Sequence, residues 1–530
     1  MYLLLIVIVL LSYLYWKSLK TFQHWSSRGV PGPKPYFLIG NLNEIFKGNQ
    51  GQVHLALSKL YGKVYGFFLA SSPVLVINDN KLIKQVLVKD FSYFVNRREL
   101  RTYHEMWNKN IFNSEDEHWR RMRTIASPAF TSGKLRSMQP IMKGCVDKLI
   151  NYIDHVVLRK QDGIVNDTKE MFAGFTIDVF ATTTFATETD ANGERSRKNP
   201  FVYHGQNFFN VRIINALPTL FIPKWLLPKL GYRTIFDQTS FQWLIDFTTE
   251  IVRQRTRSQN KRNDLVQLLL DASGSGEQED NYQKLTVEDE NDSNIENVSK
   301  IDNNNLNDRL TENEVISNCF LMFAAGFETT ATTLFHSIYE LAANVEVQQK
   351  LYDEIVQLMN DDDDGDDYPQ FNEHNIELIT NKAPYLEGVI KETLRHHPPV
   401  TVIQRRLKNV SYRLTDTITL PPNQLIEVNA YAVHHMEEYW PEPERFKPER
   451  FHPSNRDQIH PYTWLPFGSG PRNCLGMRFA LNEIKLCLAM LIIRYRFEMT
   501  TKTPMKLKYK VASPLLNTES FPIKIVQRTA

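Results

Sequence analysis

The chain has 530 residues, 42% hydrophobic and 23% charged, a globular composition that excludes an intrinsically disordered or polytopic membrane protein. Lys and Arg total 62 against 60 Asp and Glu, a net charge of +2 that argues against a dedicated nucleic-acid binder. Four cysteines, none in a C-x-x-C pair, exclude a disulfide-built secreted scaffold and zinc-finger or thioredoxin-type arrangements.

Residues 2–16 (YLLLIVIVLLSYLYW) are almost wholly apolar, and Lys17 and Lys20 follow. About 15 residues is short of the ~20 that cross a bilayer comfortably, but Tyr13, Tyr15 and Trp16 can extend the stretch at the interface. No basic residue precedes it and no small-residue cleavage site follows. It therefore reads as an uncleaved signal-anchor over residues 1–20, with the chain beyond it on the cytoplasmic side. Residues 21–35 follow as a spacer, where Pro31, Pro33 and Pro35 favour a stiff, extended path over a helix. An ordinary loop is the other reading.

The body is mostly amphipathic helix, with short strand candidates at 63–69, 74–78 and within 410–427. Residues 217–231 (LPTLFIPKWLLPKLG) hold three prolines among large apolar side chains. That density defeats a long helix, yet the segment is too apolar for a solvated loop. It reads either as a membrane-dipping element beside a lipophilic entry channel or as core. Residues 273–308 are polar, acidic and Asn-rich with no apolar face, and read as a disordered insertion; residues 361–367 (DDDDGDD) read as a second solvated loop.

Thr311 and Glu314 form a capping-box pattern ahead of a helix expected to run to about residue 344. Its apolar residues lie on all sides, so it belongs in the core. Within it, Ala325-Gly326-Phe327-Glu328-Thr329-Thr330 places a glycine and an acid where both are unfavourable unless used. A helix-packing notch is the competing reading. Further on, Glu392 and Arg395 share a helix face at i, i+3, ended by Pro398-Pro399. The pairs His396-His397 and His434-His435 suggest a metal, but neighbours on a helix diverge by about 100°, so they read as packing or surface histidines.

The strongest signal is Phe467-Gly468-Ser469-Gly470-Pro471-Arg472-Asn473-Cys474-Leu475-Gly476. Glycines and a proline precede Cys474, and an apolar helix begins just after it, so free amides and the helix dipole should favour the thiolate. A single thiolate with no second metal ligand nearby matches haem ligation, where the macrocycle supplies the other donors. A nucleophilic cysteine would need a partnered histidine, and none is close in sequence.

This loop resembles the F-x-x-G-x-R-x-C-x-G signature of the cytochrome P-450 family. The E-x-x-R pair, Pro448-Glu449-Arg450-Phe451 and Trp119-x-x-x-Arg123 occur in the family's order, and the resemblance covers roughly residues 28–530. The wording around these motifs is most like family-3 cytochromes P-450, the clan that holds broad-substrate drug oxidases and thromboxane synthase. The long acidic insertion departs from that pattern. The resemblance implies a mainly α fold: a large helical domain with a long central helix over the haem, a small β-rich region and the N-terminal anchor. The catalytic domain would span 36–530, with 273–308 inserted.

It further implies iron protoporphyrin IX (haem b), with Cys474 as the axial iron ligand. Arg472, Trp119, Arg123, Arg405 and Arg97 would hold the propionates. Glu328 and Thr329 would handle protons on the oxygen-activating helix, while Glu392, Arg395 and Arg450 would support the cysteine loop. The implied activity is oxygen insertion from O2 into lipophilic xenobiotics, steroids or fatty acids at the endoplasmic reticulum membrane, facing the cytoplasm. The chain has no strand–GxGxxG–helix unit, so electrons would come from NADPH–cytochrome P-450 reductase, with a cytochrome b-type donor as an alternative. Two other activities fit the same motifs: a haem-thiolate isomerase or dehydrase of lipid peroxides, and a non-catalytic haem-binding sensor or carrier.

Overall fold

The computed structural model describes residues 2–99, 102–159, 162–192, 199–208, 213–258, 262, 264–271, 309–360, 371–511, 513 and 515–528, without side chains 3, 4, 6–11, 13, 14, 213 and 214. Both acidic segments, 273–308 and 361–367, lie outside the described residues. The molecule is mainly helical. Eight helices matter for the site: α1 (Tyr2–Ser26), α2 (Asp116–Ala126), α3 (Ser132–Tyr152), α4 (Thr168–Phe185), α5 (Gln238–Arg257), α6 (Glu312–Ala343), α7 (Pro384–His396) and α8 (Met477–Arg494).

Helix α6 starts as its local chemistry dictates. Thr311 Oγ1 accepts from the Glu314 N–H at 3.3 Å, and Glu314 Oε2 accepts from the Thr311 N–H at 2.8 Å. The helix then runs 32 residues with side chains buried on nearly every side, packed chiefly on the equally buried α4. One core cluster joins α3, α4, α6, α7 and α8.

The strands are β1 (Val64–Leu69), β2 (Ser72–Ile77), β3 (Ile164–Val165), β4 (Val402–Arg406), β5 (Tyr412–Arg413), β6 (Thr419–Leu420), β7 (Leu425–Asn429), β8 (Tyr495–Met499) and β9 (Ile523–Gln527). They form a sheet of order β1-β2-β7-β4, a second of order β3-β9-β8, and the pair β5-β6. In the first sheet β2 and β7 are parallel and the other pairings antiparallel. Strands β4, β8 and β9 carry no sequence signal of their own. β8 follows α8 directly, so its apolar residues read as a continuation of the helix.

Residues 21–26, assigned from sequence to the spacer, belong to α1 and are docked on the first sheet. Trp25 is buried, its Nε1 donates to Phe67 O at 3.2 Å, and the Gly66 N–H donates to Pro31 O at 2.8 Å. The spanning anchor expected over residues 1–20 finds no support: among the described residues no helix is long and apolar enough to cross a membrane. Most side chains of the 2–16 stretch fall outside the described set.

Candidate active site

The cysteine loop is a chain of tight turns. Gly468 donates to Leu465 O, Asn473 to Gly470 O and Cys474 to Phe467 O, all at 2.9–3.0 Å. Gly470 sits at φ +74°, and any side chain there would strike Leu87 O, so only glycine lets the loop lie against the 85–89 segment. Of the four cysteines, Cys145, Cys319 and Cys487 are buried, while Cys474 is open. Burial nevertheless pushes the Cys474 thiol above its ordinary pKa, against the pull of the Gly476 N–H, Arg123 and Arg97. Openness together with a burial-raised pKa marks a side chain that faces an internal cavity. The thiolate expected at the helix start is therefore not favoured by the protein alone, because desolvation outweighs the amide and the cations. A bound metal cation would reverse that balance.

Four guanidiniums surround this loop. Arg123 of α2 donates to Asn473 O at 2.9 Å and Asn473 Oδ1 at 2.8 Å. Arg97 donates to Phe112 O at 3.0 Å and Arg472 O at 3.3 Å. Arg472 reaches the Val95 and Ser114 carbonyls and lies over the Trp119 ring, 4.9 Å from its centroid. Trp119 thus serves as a platform for Arg472 in this arrangement. Arg405, on β4, donates to Gln404 O at 2.8 Å.

Among the described residues none of the four makes an ion pair, and Nε of both Arg405 and Arg472 is buried without a partner. Burial and Arg97 pull the Arg405 pKa down to about 9; burial, Arg97 and Arg405 pull Arg472 down to about 8. Carbonyls accept from these groups but do not neutralise them. The cluster is short of negative charge, and a ligand with two carboxylates beside a metal would supply it.

Helix α6 presents the other face. Ala325 is exposed and Leu321, Met322, Gly326 and Thr329 partly so, although Phe323, Ala324, Phe327 and Glu328 between them are buried, which marks an open space along the middle of a core helix. Thr329 Oγ1 donates back to Ala325 O at 2.8 Å. Glu328, expected from the resemblance to work with Thr329, turns instead to Lys169 of α4, 3.0 Å away. Gly326 does not open space either, because the Phe180 ring occupies the position of its missing side chain. The packing reading therefore holds for Gly326, and Ala325 provides the clearance.

Glu392, Arg395 and Arg450 meet in a network with no loose ends. Arg395 donates to both Glu392 oxygens at 2.8 and 3.0 Å, and to His434 O and Pro443 O at 2.8 Å each. Arg450 Nε and the Lys447 N–H donate to Glu392 Oε1 at 3.2 and 2.9 Å. The network reaches the cysteine loop through His434, whose Nε2 accepts from the Leu465 N–H at 2.7 Å. Sequence reasoning missed this role of His434, as it missed Lys169, Phe180 and Asn473. Each acts on a residue far away in the chain, and no local pattern marks it.

A cavity-facing thiol ringed by unneutralised guanidiniums calls for a metal-bearing dianion, and haem-thiolate proteins are the class that binds one. The family model for cytochrome P450 matches residues 30–525, and the chain belongs to that family. It is 32% identical to cytochrome P450 3A2 of Rattus norvegicus over 99% of this chain and 96% of the relative. It is 33% identical to cytochrome P450 3A6 of Oryctolagus cuniculus over 98% and 95%, and 32% identical to cytochrome P450 9e2 of Blattella germanica over 94% and 92%. The family binds haem b, and the chain is a cytochrome P450 monooxygenase.

Proposed function

We propose that Cys474 would ligate the iron of haem b, that Arg97, Arg123, Arg405 and Arg472 would hold its propionates, and that lipophilic small molecules are oxidised beside α6. The observation that carries this reading is the pairing of one cavity-facing cysteine with four guanidiniums that, among the described residues, make no ion pair. When bound, the haem supplies an iron that activates dioxygen, with thiolate donation favouring O–O cleavage. The chain's own residues do the rest. Ala325 leaves room over the cofactor, and Thr329 holds a hydroxyl at the same wall. Glu328 would relay protons from solvent toward Thr329 once its ion pair with Lys169 opens. Conversion of Cys474→Ser should abolish the thiolate-type absorbance of the reduced carbon monoxide complex, and an unchanged spectrum would reject Cys474 as ligand.

Electrons would come from NADPH through a separate reductase. Residues 277–308 are net −8 and 361–367 net −6, so the rest of the chain carries +16 against a total of +2. A basic body suits an acidic donor and an anionic membrane. The membrane reading rests on exposed apolar residues: Leu5, Tyr15 and Trp16 of α1, Tyr36 to Ile39, and Phe221, Trp225 and Leu230. Leu220 packs on the apolar cluster that holds Leu42, Ile45, Val53 and Leu57, which ties the 217–231 segment to the N-terminal part of the fold. We therefore place the protein on the cytoplasmic face of the endoplasmic reticulum. Deleting residues 2–16 and replacing Trp225→Ser should together release it from membranes; persistent membrane binding would count against this face. Reconstitution with reductase, NADPH and a panel of lipophiles, read by product mass spectrometry, tests the chemistry. Turnover of lipid peroxides without NADPH would instead favour the isomerase reading, which the Glu328–Lys169 pair accommodates because that chemistry needs no proton delivery to dioxygen.

A further inference from the structure

Away from the haem pocket, the described residues hold one cluster of metal-ligating side chains: Glu340 near the end of α6, and His396 and His397 at the end of α7. The divergence expected of neighbouring helical residues does not apply. α7 ends at His396, and His397 has left the helix (φ −129°, ψ 58°), so both imidazoles turn toward Glu340. His397 Nε2 is 2.7 Å and His396 Nδ1 3.7 Å from Glu340 Oε1, and the three ligand atoms lie within 4.8 Å of one another. Metal–ligand bonds of ~2.1 Å in a tetrahedron separate ligand atoms by about 3.4 Å. Side-chain shifts of roughly an ångström would therefore complete the set.

Two further observations favour a ligand over a closed hydrogen-bond network. His397 Nδ1 is held by the Tyr509 hydroxyl at 2.7 Å, the kind of outer partner that orients a ligating imidazole. His396 Nδ1 faces Glu340 Oε1 at 3.7 Å, beyond hydrogen-bond distance, so the two side chains converge without closing a hydrogen bond. A surface cleft of about 570 Å³, lined in part by Glu340, Asn344, Glu442 and Glu444, opens onto the cluster at Glu340.

We propose that Glu340, His396 and His397 bind one divalent transition-metal ion of the zinc type, with water from the cleft as fourth ligand. Two imidazoles and a carboxylate suit that class of ion better than Mg2+ or Ca2+. The ion would tie the end of α6 to the end of α7, next to the Glu392–Arg395 pair, and it acts independently of the haem chemistry.

The test uses the haem-loaded protein, stripped with a chelator, incubated with Zn2+ and desalted, with zinc counted by mass spectrometry against haem absorbance. One zinc per chain is expected, together with a rise in the thermal midpoint. Glu340→Gln and His396→Phe should each weaken retention at least tenfold, while the exposed-site control His460→Gln should not. If His396→Phe yields no haem-loaded protein, the near-isosteric Glu340→Gln decides. Absence of retained zinc in the wild type, or retention by Glu340→Gln equal to wild type, would overturn the assignment.

Discussion

Two groups of arginines lie close to the cysteine loop and are handled in opposite ways. Around Glu392, both guanidiniums meet a carboxylate, Arg395 also donates to two carbonyls, and Arg395 and Glu392 are fully buried with each of their side-chain nitrogens and oxygens hydrogen-bonded. Around Cys474, four guanidiniums meet carbonyls and aromatic rings but, among the described residues, no carboxylate; they crowd one another and leave two Nε atoms unpaired. A buried charge without a counter-charge is unfavourable, so evolution keeps one only where something else arrives to neutralise it. The closed group is a structural fastener. The open group is the one we propose as a ligand site.

The contrast can be broken at either end. Replacing Glu392→Ala should have the largest effect, about 3–5 kcal/mol, because it leaves Arg395 buried and uncompensated. The expected result is loss of haem-loaded protein, read by the carbon monoxide spectrum and near-UV circular dichroism. Wild-type yield and thermal midpoint would mean the network is not a fastener.

Arg405→Met should act with opposite signs in two states. In haem-free protein it removes an unpaired charge and should raise the thermal midpoint slightly. In haem-loaded protein it should speed haem loss about tenfold, equivalent to ~1.4 kcal/mol. The measurements are calorimetry and transfer of haem to an acceptor protein. Equal destabilisation in both states would make Arg405 merely structural.

His434→Ala tests the link between the two groups. It orphans the buried Leu465 N–H, so a loss of about 1–3 kcal/mol is expected, with a weaker Cys474-type spectrum at equal haem content.

Glu483 sharpens the comparison as a third solution, neutralisation. Both its oxygens are buried without partners, and burial holds its pKa well above the ordinary carboxyl value. In the unfolded chain it ionises above about pH 4.3. In the folded chain it stays protonated to a higher pH, so stability falls as pH rises between the two values. Glu483→Gln should therefore stabilise by about 1 kcal/mol at pH 7.5 and much less at pH 4.5. A gain independent of pH would show that Glu483 is ionised in the fold.

What the sequence revealed follows the range of each interaction. The capping box at Thr311 and Glu314, the start of α8 after Cys474 and the Glu392–Arg395 spacing are local rules, and they read directly. The turn of Glu328 to Lys169, the seat of Phe180 on Gly326 and the His434 bridge join distant segments that only the packed core brings together. The histidine pair was legible as a pattern but not as a geometry. Its convergence depends on α7 stopping at His396, one residue earlier than a continued helix would allow. Strand β8 escaped notice because its apolar residues continue the helical run of α8.

Phe180 touches both walls of the pocket region: its ring fills the notch at Gly326 on α6 and meets Phe479 on α8, with ring centroids 5.0 Å apart. The distance between α6 and the helix that follows the cysteine is therefore gauged by one flat ring of fixed thickness. Drift at position 180 or 326 alone would open or jam the gap, while paired change would preserve it. Across relatives the two positions should change together, like a shim and its slot.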